Sequence, residues 1–180
     1  MDVILMKLIE NSISDTLYER CCNELNELND KPCWSSSRLI WSNVLKEGVT
    51  GSCLSTPVSD DLHNLLEEEL KSTLPEYKKL ICQYYLWQTQ SGISWHNDGG
   101  NGRLFGATLH LNDGWEPNNG GWFIWEDKHG GHHATLPKKK SLVINDEYEF
   151  HCVTPVVFDF RCTIQIWGES YTQPKTRVVK

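Results

Sequence analysis

Residues 140–167 read KSLVINDEYEFHCVTPVVFDFRCTIQIW. Three short runs rich in β-branched and aromatic residues, KSLVIN, HCVTPVV and RCTIQIW, follow one another across turn formers and acids, which is the composition of strands. None of the gaps holds a crossover helix, so a parallel sheet wrapped by helices is excluded and antiparallel pairing is expected. Working outward, KLICQYYLWQ, RLFGATLHL, GWFIWED and HHATL continue the pattern back to residue 78. That density of short strands predicts a β-sandwich or barrel.

Upstream the period changes. Leu17, Cys21, Leu25 and Leu28 recur at helical spacing after Ser12 and Asp15, which predicts an amphipathic helix over 13–28. A second helix is expected after Ser59, with Asp60 and Asp61 at its positive end and Leu62, Leu65, Leu66 and Leu70 along one face, stopping before Pro75. Residues 30–57 hold turn formers and two tryptophans without clean periodicity and read as irregular, with a short hairpin. The expected architecture is mainly β, with N-terminal helices packed on one outer face. One domain spans 1–180, with helical support over about 1–75 and a catalytic core over about 78–170, because no linker or charge run divides the chain.

Composition narrows the function classes. A formal charge of -7 argues against a nucleic-acid partner, and no apolar run approaches the about 20 residues of a membrane helix. The seven cysteines show no CxxC pair and follow no signal-peptide pattern, so free thiols in a reducing cytoplasm are expected.

The chemistry starts at SWHND, 94–98. In extended chain, residues two apart point to one side, so His96 and Asp98 can offer an imidazole nitrogen and a carboxylate oxygen to one metal ion; the alternative is a polar loop. A second histidine would complete the two-histidine, one-carboxylate face of non-haem Fe(II) oxygenases, which leaves positions free for a cosubstrate and O2. His151 heads a predicted strand, and Arg161, ten residues on, heads the last one. If those strands are antiparallel neighbours, the guanidinium enters the same mouth, where it can hold a dicarboxylate. The HGGHH cluster, with His129, His132 and His133, reads as a solvated loop, and Gly120-Gly121 as a turn or bulge.

The span from about Leu80 to Glu169 resembles the Fe(II)/2-oxoglutarate-dependent oxygenases of the prolyl 4-hydroxylase type. CQYYLW leads into His96-x-Asp98, then come LHLNDGWEPNNGGWFIW, TLPKKKSLVIN and HCVTPV…RCTIQIW, in the family's order. The resemblance implies a double-stranded β-helix, the cupin-like jelly roll, with iron held by His96, Asp98 and His151. It implies that Arg161 binds the distal carboxylate of 2-oxoglutarate, helped by Thr163. His110 falls where prolyl hydroxylases often carry a tyrosine that touches the same carboxylate, and a histidine can donate the same hydrogen bond. Trp87 also occupies a tyrosine's place beside the cosubstrate, and PKKKSL lacks the family's glycine.

The cofactors implied are Fe(II), 2-oxoglutarate and O2, with ascorbate as reductant. The implied activity is hydroxylation of prolyl residues in a peptide or protein, with release of succinate and CO2. The alternatives are the same chemistry on a free amino acid or small molecule, and a non-catalytic cupin-like binding module. A nucleic-acid demethylase would carry a second arginine where Trp167 stands.

Overall fold

A computed structural model describes residues 6–37, 41, 43–99, 102–146 and 148–170. The chain begins with β1 (Lys7–Ile9) and the helix α1 (Asp15–Leu28). Next come β2 (Ser35–Ser36), α2 (Asn43–Gly48), β3 (Val49–Thr50), β4 (Cys53–Pro57) and α3 (Asp60–Leu70). Then follow β5 (Lys79–Trp87), β6 (Gly92–His96), β7 (Arg103–His110), β8 (Phe123–Glu126), β9 (His132–Thr135), β10 (Leu142–Asp146), β11 (His151–Val153) and β12 (Arg161–Glu169). A seven-stranded sheet in the order β1-β10-β7-β12-β5-β4-β2 faces a five-stranded sheet in the order β3-β6-β11-β8-β9. Every strand pair is antiparallel, as expected from the short connections, and the two sheets form a jelly roll.

Alternation along the strands builds two cores. On one face of the large sheet Leu80, Cys82, Tyr84, Ala107, Leu109, Ile164 and Ile166 cluster with Leu17 and Cys21 of α1 and Leu62, Leu66 and Leu70 of α3. The helices therefore cover the outer face, and each buried leucine of α3 contributes about 1.5–3 kcal/mol through lost contact with water. The opposite face points inward. Trp87, Tyr85, Trp167 and Val143 meet Ile93, Phe123, Val153 and Val156 from the small-sheet side. The out-facing residues of β5, β7 and β12 thus anchor the support, while the in-facing ones line a site.

α3 begins after Ser59, whose hydroxyl accepts from the Leu62 N–H, as expected. α1 is capped two residues later than Ser12 suggested. The Ser14 hydroxyl accepts from Leu17 N–H, while Ser12 donates to the Lys140 carbonyl. The region expected to be irregular holds α2 and three short strands, two of which, β2 and β4, pair with each other. β1, a three-residue strand, adds to the edge of the large sheet through β10. β11 and β12 are not neighbours: β11 pairs β6 and β8 in the small sheet, and β12 pairs β5 and β7 in the large one. Among the described residues, no helix is long and apolar enough to cross a membrane.

Candidate active site

β6 and β11 lie side by side with His96 directly opposite His151, so both imidazoles project from one row of the small sheet into the space between the sheets. Their ring centroids are 4.3 Å apart, and the Phe123 ring stacks on His151 at 5.0 Å. Asp98, two residues past His96, reaches across to the large sheet, where Asn145 Nδ2 donates to its Oδ2 at 3.4 Å. Asp98 Oδ1 stands 3.9 Å from His96 Nε2, and Oδ2 stands 3.8 Å from His151 Nε2. One ligand atom from each of the three lies within 4.8 Å of the others, a spacing that can hold a metal ion; among the described residues this is the sole such group.

Hydrogen bonds behind the rings set their chemistry. His96 Nδ1 lies 2.8 Å from the Ser94 carbonyl and His151 Nδ1 3.1 Å from the Glu149 carbonyl. A carbonyl only accepts, so each Nδ1 carries a proton and Nε2 is the nitrogen that each ring presents toward Asp98. Burial, then the neighbouring His151, push the His96 imidazolium down to about 4, so the ring is neutral at pH 7. Burial works to raise the Asp98 carboxyl, but His151, His96 and Arg103 outweigh it and hold it below its ordinary value. Two imidazole nitrogens and one carboxylate make the donor set suited to Fe(II).

The space beside these residues is a cleft lined among others by Trp41, Tyr85, Trp87, Arg103, Arg161 and Gln165. Arg161 comes from the large sheet, across the core from His151, and is 1% exposed. Its guanidinium lies 5.9 Å from the Trp87 ring centroid and donates through Nη2 to His110 Nε2 at 3.1 Å. It forms no ion pair among the described residues. Burial pulls its pKa down to about 10, which still leaves a full cation at neutral pH. Arg161 Nε and the hydroxyl of Thr163, two positions along the same face, are buried polar atoms without a partner. An uncompensated buried cation beside an idle hydroxyl is costly unless an anion completes it. A carboxylate fits both.

His110 stands directly across β12 from Thr163 and is fully buried. Its Nδ1 is paired with the Ser141 hydroxyl at 3.0 Å and its Nε2 with Arg161. Trp87 is buried and lines the cleft.

Residues 80–169 match the family profile of the 2OG-Fe(II) oxygenase superfamily. The chain belongs to that superfamily. Its chemistry uses Fe(II), 2-oxoglutarate and O2, and the His-Asp-His group is the candidate iron site. No curated protein matches the chain in sequence. Among solved structures it is similar to a Pseudomonas putida prolyl-4-hydroxylase, with TM-score 0.72 and 16% identity over 91% of this chain and 92% of that one. It is also similar to a Trichoplax adhaerens prolyl hydroxylase in complex with a hypoxia inducible factor peptide fragment, with TM-score 0.71 and 15% identity over 91% and 83%. The epimerase SnoN, non-heme and alpha-ketoglutarate dependent, from nogalamycin biosynthesis shares the fold at TM-score 0.64 and 12% identity over 91% and 77%.

Several residues of this oxygenase site escape sequence reasoning. Gly106 lies where a Cβ would stand 2.7 Å from Asp98 Oδ2 and 3.0 Å from Asn145 Oδ1, so the carboxylate needs a glycine beneath it. The glycine inside RLFGATLHL was the available signal. Gly121 is more than a turn residue: at φ +64° its missing side chain leaves room for Arg161 Cδ, which a Cβ would meet at 3.0 Å. Tyr85, whose hydroxyl accepts from Trp41 Nε1 at 2.9 Å, joins the cleft wall. Of the segments beside the cleft, 97–103 includes Gly100 and Asn101, and 30–57 includes 38–40 and 42, all outside the described residues. Within them Trp41 and Leu45 do line the cleft, and the Arg103 guanidinium lies 4.5 Å from the Trp167 ring centroid. In the HGGHH loop, Asp127 accepts from the His129 and Gly131 N–H groups and pairs with His133 Nε2 at 2.7 Å, an acid partner for that loop.

Proposed function

We propose that this chain is an Fe(II)- and 2-oxoglutarate-dependent dioxygenase that hydroxylates prolyl residues of a peptide or protein, releasing succinate and CO2. The observation that carries the cosubstrate assignment is Arg161, a buried guanidinium with no carboxylate partner among the described residues, in the same cleft as His96, Asp98 and His151. In this reading His96, Asp98 and His151 hold the iron, Arg161 and Thr163 take the distal carboxylate, and Trp87 walls the cosubstrate. The bound metal supplies O2 activation coupled to oxidative decarboxylation of 2-oxoglutarate. The chain's own part is to orient the cosubstrate, exclude water and present one C–H bond.

The prolyl substrate is supported by the two prolyl hydroxylases among the similar structures and by the flat walls of the cleft. Trp41, Tyr85 and Trp87 form an aromatic surface, and Arg103 adds a donor suited to the carbonyls of an extended peptide. The seven free thiols support a cytoplasmic setting.

Incubation with Fe(II), 2-oxoglutarate, ascorbate and a panel of prolyl peptides and free amino acids tests the assignment. Succinate together with a gain of one oxygen on prolyl peptides is expected. Succinate formed only with free amino acids or other small molecules would move the substrate to that class, and absence of succinate with every compound would favour a binding module.

A further inference from the structure

Ser141, His110 and Arg161 form a buried chain of hydrogen bonds whose direction is fixed at both ends. The Ser141 hydroxyl donates to the Lys138 carbonyl at 2.7 Å, which uses its only proton. Its oxygen therefore accepts from His110, 3.0 Å away at Nδ1. That places the imidazole proton on Nδ1 and a lone pair on Nε2. From the other side, Arg161 Nη2 lies 3.1 Å from Nε2, and a guanidinium has protons to give and no lone pair to offer. The two ends require the same tautomer independently. Ser141, His110 and Arg161 are each at most 1% exposed, so water offers no competing partner. Burial and the adjacent guanidinium also hold the ring neutral.

We propose that His110 is a positioning residue that accepts from Arg161, and that it is not a donor to the cosubstrate. The imidazole fixes one arm of the guanidinium, and the remaining polar groups at that end, Arg161 Nε and the Thr163 hydroxyl, stay without partners. A guanidinium already locked in its working rotamer loses little further freedom when an anion arrives. Ser141 belongs to the device although it takes no part in the cleft lining: by spending its proton on Lys138, it dictates which nitrogen of His110 is free.

The tautomer is measurable in the metal-free protein, without cosubstrate, by long-range 1H–15N correlation of 15N-histidine-labelled chain. His110 is expected as the neutral Nδ1–H form. An Nε2–H form in the unaltered protein would overturn the proposal, whatever the enzyme does.

The consequence for binding rests on the reading of Arg161 given above, and Ser141→Ala tests it. Without the hydroxyl, the buried Nδ1–H loses its acceptor and Arg161 alone holds the ring, so the imidazole fixes the guanidinium less firmly. The 2-oxoglutarate KM should rise about tenfold, with a smaller change in kcat, while the imidazole keeps the Nδ1–H form that Arg161 still requires. His110→Gln, whose carbonyl oxygen can accept from Arg161, should stay nearer the unaltered KM than His110→Phe, which cannot. If His110 were instead a direct donor to the cosubstrate, Ser141→Ala would leave the KM unchanged or lower it, and that result overturns the positioning role. Failure of the unaltered protein to bind 2-oxoglutarate at all would instead count against the proposed function, and the tautomer would still decide the hydrogen-bond chain.

Discussion

Gly106→Ala places a methyl group against the carboxylate of Asp98. The added Cβ would lie 2.7 Å from Oδ2, where ordinary contact begins at 3.4 Å, so the oxygen must give way by about 0.7 Å. Asn145 cannot absorb the shift, because its Oδ1 and Nδ2 would stand 3.0 and 3.2 Å from the same methyl. Metal ligation tolerates about 0.2 Å of error in each ligand distance, so a displacement of this size uncouples Asp98 from the histidine pair. The fold has less reason to object. The clashing atoms are side-chain ends, and Gly106 lies within a strand whose backbone alanine adopts freely. The expected outcome is a loss of about 10–100-fold in metal affinity, about 1.4–2.7 kcal/mol, with the melting temperature of the metal-free protein nearly unchanged. Titration of the metal-free protein with Mn(II), followed by electron paramagnetic resonance, gives the affinity, and a circular dichroism melt gives the stability. Unchanged Mn(II) affinity in a folded variant would refute the argument that Asp98 needs the bare backbone at 106.

Arg161→Met should raise the 2-oxoglutarate KM at least tenfold while leaving the metal-free melt unchanged or raised, because it removes a buried cation that has no ion-pair partner among the described residues; a falling melting temperature with an unchanged KM would reverse the assignment. Gly121→Ala forces a side chain into a left-handed backbone against Arg161 Cδ, for a loss of about 1–2 kcal/mol in urea unfolding and weaker cosubstrate binding. Stability of the metal-free protein should fall on acidification below about pH 6.5, since His96 and His110 are both held neutral in the folded state with lowered pKa values. Both rings are uncharged above that pH in either state and cost nothing, whereas below it the unfolded chain binds protons that the fold resists. With His96 at about 4, its share alone reaches about 3 kcal/mol near pH 4, read as the shift of the urea midpoint with pH; a flat profile from pH 6.5 to 4 would contradict the burial of both rings.

What the sequence made legible depended on how local the physics was. α3 is readable because its cap, its charged first turn and the leucines at 62, 66 and 70 all lie within one helix. The pair His96 and Asp98 is readable because two-residue spacing is a property of extended chain, whatever the strand pairs with. β1 is not readable in this way. Three residues carry no periodicity, and their stability comes from pairing with Leu142, Val143 and Ile144, far along the chain. The adjacency expected of the His151 and Arg161 strands fails for the same reason. Ten residues of separation suggest a hairpin, but the chain leaves β11 after Val153, bridges Val156 to Gly120, and enters the large sheet at Arg161.

The same distinction applies to His110. Its position in β7, directly across from Thr163, follows from the strand pattern, and that pattern brings it beside Arg161. Whether an imidazole donates or accepts is decided by its two partners, and neither is near it in sequence. Ser141 reaches it only because the turn at Lys138 closes back on β10, and Arg161 only because β12 lies beside β7. A tyrosine in that place would have a single hydroxyl able both to give and to take a hydrogen bond. A neutral histidine divides those roles between two nitrogens, so replacing one with the other makes the donor count of the site depend on a serine 31 residues away. Residue type locates the group, and tertiary hydrogen bonding assigns its proton.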